Sequence, residues 1–360
     1  MGWMPDTVAL TLTDTLDRLA ERGTRFLGCR VPVMGGAMSW VSERHLVSAI
    51  SDAGGFGVIA AGSMTPALLA AEIVATRART RAPFGVNLIT FHPDIDALVG
   101  VCLDHGVGHL VLAGGIPPAA LLRRVVAGAR AICFASALPI AQRLVRMGAD
   151  ALVIEGSEAG GHIGPVSLAV LAQEILPVVR DVPVFVAGGL GRGEAITAFL
   201  QMGAAGAQIG TRFAAATESI AHPRFKQAFF HARARDAMPS IQLDPAFPVM
   251  PVRGLVNRGT ARFVEHQAVM AAAVRNGSLT REAAQLQIEH FWAGGLRRAV
   301  LDGDVEDGSV MAGQSVGMVT HEQPVAEIIA ELMAQARAAL HPPALHSPAL
   351  HPPALHNMGP

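Results

Sequence analysis

The sequence predicts a (β/α)8 barrel followed by a C-terminal helical extension. Three observations point there: eight short apolar runs at a βα repeat length, helical periodicity between them, and glycine clusters just after the seventh and eighth runs. An open doubly wound sheet is the competing α/β arrangement, but eight evenly spaced units favour closure.

The eight runs, each rich in β-branched or small apolar residues, are 31–34, 57–60, 84–88, 109–112, 131–134, 151–154, 184–186 and 207–209. Between them, segments 42–53, 66–77, 138–147 and 194–202 carry the clearest helical spacing. Residues 1–30 read as a lead-in and 31–235 as the barrel. After the eighth run the rhythm stops. Residues 215–263 are rich in His, Pro and Arg without a clean period, and helical patterns return at 279–300 and 324–340. Residues 236–340 are therefore expected to form a covering loop and helical extension, either over the barrel mouth or against its outer wall. The tail, 341–360, repeats Pro, Ala, Leu and His, and its composition predicts disorder.

Composition narrows the function. A net charge of −1 leaves no electrostatic footprint for nucleic acid or anionic lipid. No apolar run is long enough for a membrane span, and the acidic N-terminus does not resemble a signal peptide. Cys29, Cys102 and Cys133 form no Cys-x-x-Cys pair and read as small buried residues in a reducing cytoplasm. No His, Cys or carboxylate spacing suggests a metal site. Lys226 is the only lysine, which removes Schiff-base chemistry elsewhere, and the absence of tyrosine removes mechanisms built on a catalytic Tyr.

Chemistry concentrates at the C-terminal ends of the runs, where barrel enzymes carry it. The sixth run leads into Glu155-Gly-Ser-Glu-Ala-Gly-Gly-His-Ile-Gly164. Gly160 and Gly161 let backbone N–H groups approach a ligand, and His162 is placed to move a proton at neutral pH. The first run leads into Gly35-Gly-Ala-Met-Ser-Trp40, where Gly36 admits a flat ring and Met38 or Trp40 would pack on it. The third ends in Asn87, an amide able to orient a heterocycle or to cap. The seventh ends in Ala187-Gly-Gly-Leu-Gly-Arg-Gly193 and the eighth in Gln208-Ile-Gly-Thr-Arg212. Gly188, Gly189, Gln208, Ile209, Gly210 and Thr211 thus form a phosphate-binding arrangement at the place expected after strands seven and eight. A non-redox barrel binding a phosphorylated sugar or nucleotide satisfies the same loops.

These residues resemble the FMN-dependent nitronate monooxygenase family (formerly 2-nitropropane dioxygenases) and its relative, the FMN-dependent enoyl-ACP reductase. The resemblance runs from about residue 31 to 329. Its strongest pieces are Glu158-Ala-Gly-Gly-His-Ile-Gly164, Ala187-Gly-Gly189, Gln208-Ile-Gly-Thr211 and Gly308-Ser-Val-Met-Ala-Gly-Gln-Ser-Val-Gly317. It implies flavin contacts at Asn87, Glu155 and Gly160, a ribityl phosphate held by Gly189 and Gln208 to Thr211, and His162 as the catalytic histidine. It also implies oxidation of an alkyl nitronate with O2 to a carbonyl compound and nitrite. The alternative is NAD(P)H-dependent reduction of an enoyl thioester carried on acyl carrier protein or CoA. Glu155 and Ile163, where nitronate monooxygenases usually have Gln and often Arg, look more like the reductase. A homodimer is one arrangement the extension would allow.

Overall fold

A computed structural model describes residues 6–341; residues 1–5 and the low-complexity tail after His341, with its expected disorder, lie outside them. Helix α1 (Asp6–Leu27) leads into eight parallel strands: β1 (Val33–Gly35), β2 (Gly57–Ala60), β3 (Phe84–Ile89), β4 (His109–Ala113), β5 (Arg130–Phe134), β6 (Ala151–Glu155), β8 (Val184–Ala187) and β9 (Gly206–Ile209). They pair in the order β1-β9-β8-β6-β5-β4-β3-β2, and a parallel bridge between Met34 and Phe56 joins the two ends. The sheet is a closed (β/α)8 barrel. A two-residue strand, β7 (Gly161–His162), interrupts the count and belongs to a different sheet.

The connecting helices are α2 (Arg44–Asp52), α3 (Pro66–Arg79), α4 (Ile95–Asp104), α5 (Ala119–Val126), α6 (Leu138–Arg146), α7 (Leu168–Ile175) and α8 (Gly193–Gln201). Several start where the sequence supplies a cap. Glu43 accepts from the amides of His45 and Leu46 at α2, and Thr65 caps α3 with Pro66 in its first turn.

Strand alternation divides the core in two. On β6, Leu152 and Ile154 face the surrounding helices while Ala151 and Val153 face the barrel axis. The axial core also contains Met34, Phe56, Val58, Val111, Ile132 and Phe185, and it is plugged by Phe26 and Leu27 at the end of α1. The Phe26 carbonyl accepts from Arg130 Nη1 at 3.1 Å and lies 2.9 Å from His109 Nε2. His109 and Arg130 begin β4 and β5, so α1 closes the end of the barrel opposite the chemistry.

After β9 the chain departs from the simplest reading. Helix α9 (Thr211–Ala214) is a single turn, followed by α10 (Pro223–His231). The place on the outer wall between α8 and α2 is filled instead by α13 (Val325–Ala339), the segment expected to belong to the extension. Thr197 Oγ1 on α8 donates to the Ala336 carbonyl at 2.7 Å, and Gln335 Oε1 accepts from the Gly193 amide at 2.8 Å. A Cβ on Gly193 would lie 1.9 Å from the Leu332 carbonyl oxygen, so the two helices meet backbone to backbone.

The extension proper has its own core. Strands β10 (Ala237–Pro239) and β11 (Val252–Leu255) pair antiparallel with each other, and β11 pairs with β7. Helices α11 (Arg258–Arg275) and α12 (Arg281–Arg297) enclose Phe247, Phe263, Ile288 and Trp292, with the Phe263 and Trp292 ring centroids 4.1 Å apart. Helix α12 runs on into a π turn, Arg298–Asp302. Strands β10 and β11 and the first turn of α11 occupy the 215–263 stretch that showed no clean period. No helix among the described residues is long and apolar enough to cross a membrane.

Candidate active site

Pairing register assembles polar groups from distant strands into one row. Glu155 on β6 is paired with Ala187 on β8, Ala187 with Gln208 on β9, and Gln208 with Met34 on β1. Ala187 and Met34 belong to the axial core, so Glu155 and Gln208 face the axis on either side of a small alanine. Across the barrel, Asn87 is paired with Ala60 and Val111, and its Nδ2 donates to the Val111 carbonyl at 3.3 Å. Asn87 and Gln208 are buried. Burial among protein atoms pushes the Glu155 carboxyl up to about 8, which favours its neutral, hydrogen-bond-donating form.

The glycine loops supply bare backbone beside this row. Gly188 (φ +95°) and Gly189 (φ +69°) take left-handed conformations that side chains disfavour. A Cβ on Gly188 would sit 2.9 Å from the Gly156 carbonyl, which brings the loops after β8 and β6 into contact. The Gly36 amide donates to the Ile209 carbonyl at 2.8 Å, while the Ile209 side chain enters the outer core and leaves only its backbone for a ligand. At Gly210, an added Cβ would meet only Met38 Sδ, at 3.8 Å, and no side chain caps the first turn of α9. Thr211 Oγ1 accepts from the Gly313 amide at 3.1 Å. The neighbouring arginines are already engaged: buried Arg212 donates to Gly191, Gln323 and Glu331, and Arg192 pairs with Glu194. What these loops offer an anion is amides rather than guanidinium groups.

The two carboxylates of the loop after β6 serve different purposes. Glu158 caps α7 by accepting from the Leu168 amide at 3.0 Å, and its backbone carbonyl accepts from the Gln314 amide. A Cβ on Gly160 would lie 2.6 Å from the backbone of Ala312 and Gly313, so the 308–317 segment is seated directly on this loop. The chain then turns at Gly161 (φ +80°) into β7, where His162 pairs with Val252. His162 is thus on a strand, not in the open loop that its glycine-rich surroundings suggest.

One contact was invisible in the sequence. His162 Nε2 lies 3.0 Å from Glu289 Oε2 on α12, close enough to bond but without the alignment of a full hydrogen bond. Two turns further along α12, the Arg297 guanidinium lies 5.8 Å from the ring centre of Trp40, in the loop after β1. Trp40 holds a left-handed backbone (φ 67°), and its buried indole Nε1 lacks a hydrogen-bond partner. Helix α12 therefore spans the loops after β1 and β6, which places it over the mouth rather than the outer wall.

Compared with known proteins, residues 21–98 and 95–335 match the model of one family, nitronate monooxygenase. The chain belongs to the nitronate monooxygenase family. Members of that family are oxidoreductases, and the relatives of this one carry more than one activity in their names. A (3aS,4S,5R,7aS)-5-hydroxy-7a-methyl-1-oxo-octahydro-1H-indene-4-carboxyl-CoA dehydrogenase of Mycobacterium tuberculosis is 29% identical over 346 residues, covering 89% of this chain and 96% of that one. A probable nitronate monooxygenase of Bacillus subtilis is 26% identical over 349 residues, covering 84% and 94%. Among solved structures, FabK from Thermotoga maritima superposes with a TM-score of 0.79 at 34% identity, covering 89% of this chain and 96% of that one. Nitroalkane oxidase from Streptomyces ansochromogenes gives 0.72 at 28%, covering 88% and 99%.

Proposed function

We propose that this family member is an FMN-dependent oxidoreductase in which His162 hydrogen-bonds and orients the substrate, and that its substrate is an alkyl nitronate. FMN fits the residues present. The open face of Gly210, the uncapped start of α9 and the glycines at 188 and 189 make a cradle of amides for a phosphate. Asn87, Glu155 and Gln208 present donors and acceptors toward the barrel axis for a heterocycle, and Met38 flanks Gly210. Bound there, FMN would supply the electron acceptor.

What supports the substrate assignment is the inward-facing row of Glu155 and Gln208 on either side of Ala187, with Asn87 across the barrel, in which burial raises the Glu155 carboxyl. An ionised carboxylate facing the axis would repel an anionic nitronate, whereas a carboxyl pushed up to about 8 offers a proton at pH 7. The reaction is oxidation of the nitronate with O2 to a carbonyl compound and nitrite. The chain's part is to orient the substrate beside His162 and to exclude water beneath α12.

A second reading, reduction or dehydrogenation of an acyl thioester on CoA or acyl carrier protein with a nicotinamide, is favoured by the CoA ester named for the Mycobacterium tuberculosis relative. Anaerobic mixing separates them. Flavin bleaching by an alkyl nitronate, with nitrite appearing once air is admitted, supports the monooxygenase. Bleaching by NADH or NADPH alone supports the thioester enzyme. A colourless protein without flavin removes both and leaves a non-redox phosphate-binding barrel.

A further inference from the structure

Glu289 stands out among the carboxylates of the extension because its position is fixed from both sides. Its neighbours Ile288 and Trp292 are buried in the core of the extension, at 1% and 4% exposure, and Thr280 caps the helix by accepting from the Ala283 amide. The histidine opposite is equally constrained. His162 pairs with Val252, a member of that same core, and the next amide, Ile163, donates to the Pro251 carbonyl at 3.0 Å. Both backbones are therefore tied to one small core, so the 3.0 Å approach of Glu289 Oε2 to the buried His162 Nε2 is set by packing although the two side chains are 33% and 37% exposed. That distinguishes it from an ordinary surface ion pair, which contributes little.

We infer that Glu289 is a positioning residue: it fixes the His162 imidazole with a proton on Nε2 and leaves Nδ1 as the nitrogen that meets substrate, donating a hydrogen bond to an anionic substrate when the ring carries its second proton. The physical basis is the distinctness of the two ring nitrogens. A carboxylate accepts only, so the ring nitrogen beside it carries the hydrogen and the lone pair resides on the other. His162 Nδ1 has no partner among the described residues. When the ring takes up a second proton, the nearby carboxylate stabilises the imidazolium without itself being protonated. The inference rests on His162 being the imidazole that orients substrate in the proposed function. It adds that the extension contributes to the chemistry, and not solely a cover.

The test uses the full-length flavin-loaded protein, 15N-labelled at histidine, with His162→Asn identifying the His162 signals. Wild type should show the neutral ring protonated at Nε2. Glu289→Gln should lose that preference and lower kcat for flavin reduction by ethyl nitronate by about 10- to 100-fold, the order of loss found when the carboxylate orienting a metal-bound imidazole is removed. KM should change less than about twofold, with bound flavin and Tm unchanged. Glu289→Asp, which keeps a carboxylate, should recover part of the loss. Wild-type kcat in Glu289→Gln, or an unaltered His162 15N signature in that variant, would overturn the inference. A wild-type protein without flavin or turnover would instead remove the functional reading, and the pairing would then be decided by the 15N signature alone.

Discussion

Glu155 and Gln208 lie on opposite sides of Ala187 in a single register row, both facing the barrel axis. Two strand spacings set them about 10 Å apart, wide enough for a flat ring system to reach both. Only Ala187 separates them, so the row stays open where a larger residue would fill it.

The protonation of Glu155 is measurable as stability. Its carboxyl moves from an ordinary value of 4.5 to about 8 on folding, because burial disfavours the charged form. Between those values the folded state keeps a proton that the unfolded chain releases, so stability falls as pH rises through that window. The slope is at most about 1.4 kcal/mol per pH unit. Glu155→Gln removes this contribution. Urea unfolding at pH 5.5 and 7.5 should show a larger loss for wild type than for the variant; equal losses would mean Glu155 ionises normally.

Replacing His162 by asparagine keeps a polar side chain on β7 and leaves the Val252 pairing to the backbone. FMN content should match wild type while turnover falls by about 10- to 100-fold, the loss of one hydrogen bond to a charged substrate at about 1.5–3 kcal/mol. Rapid-mixing flavin reduction is the readout.

Two glycine substitutions separate the cofactor cradle from the scaffold. Gly210→Ala adds a methyl group that meets only Met38 Sδ at 3.8 Å, so Tm should hold while FMN binding weakens. Gly160→Ala drives a Cβ to 2.6 Å from the backbone of Ala312 and Gly313, and should cost about 1–3 kcal/mol as the 308–317 segment is pushed off the loop after β6. Thermal melts with and without added FMN distinguish the two.

The docking of α13 has its own test. Gly193→Ala places a methyl group 1.9 Å from the Leu332 carbonyl, where only backbone movement relieves it. Unfolding should be destabilised by about 2 kcal/mol or more. Thr197→Val removes the buried donor to the Ala336 carbonyl and should cost about 1–3 kcal/mol. Neither should alter the flavin spectrum, because both act on the outer wall.

The cysteines provide a chemical check. Burial pushes the Cys102 and Cys133 thiols up to about 12 and Cys29 to about 11, so all three should react slowly with a thiol reagent at pH 8 in the folded state. Release of all three should accompany unfolding.

The barrel was legible in the sequence because each βα unit is specified locally. Apolar runs such as 151–154 supply strands, amphipathic segments supply helices, and the glycines at 188, 189 and 210 stand where the backbone must turn left-handed or remain bare. Repetition of one unit needs no long-range information to be counted. Glu155, Asn87 and Gln208 stood out at the ends of their runs, while the direction in which they face was set by the strand register. Pairings between distant segments could be decided only by the tertiary structure. Nothing local shows that Val325–Ala339 occupies the outer wall beside α8, that His162 lies on a strand against Val252, or that Glu289 on α12 comes within 3.0 Å of its ring. Side-chain identity and periodicity determine what a segment becomes. Which segment meets which is set by the packing of whole elements, here Gly193 against Leu332 and Gly160 against Ala312, where the absence of a Cβ permits the contact without any periodic signal to announce it.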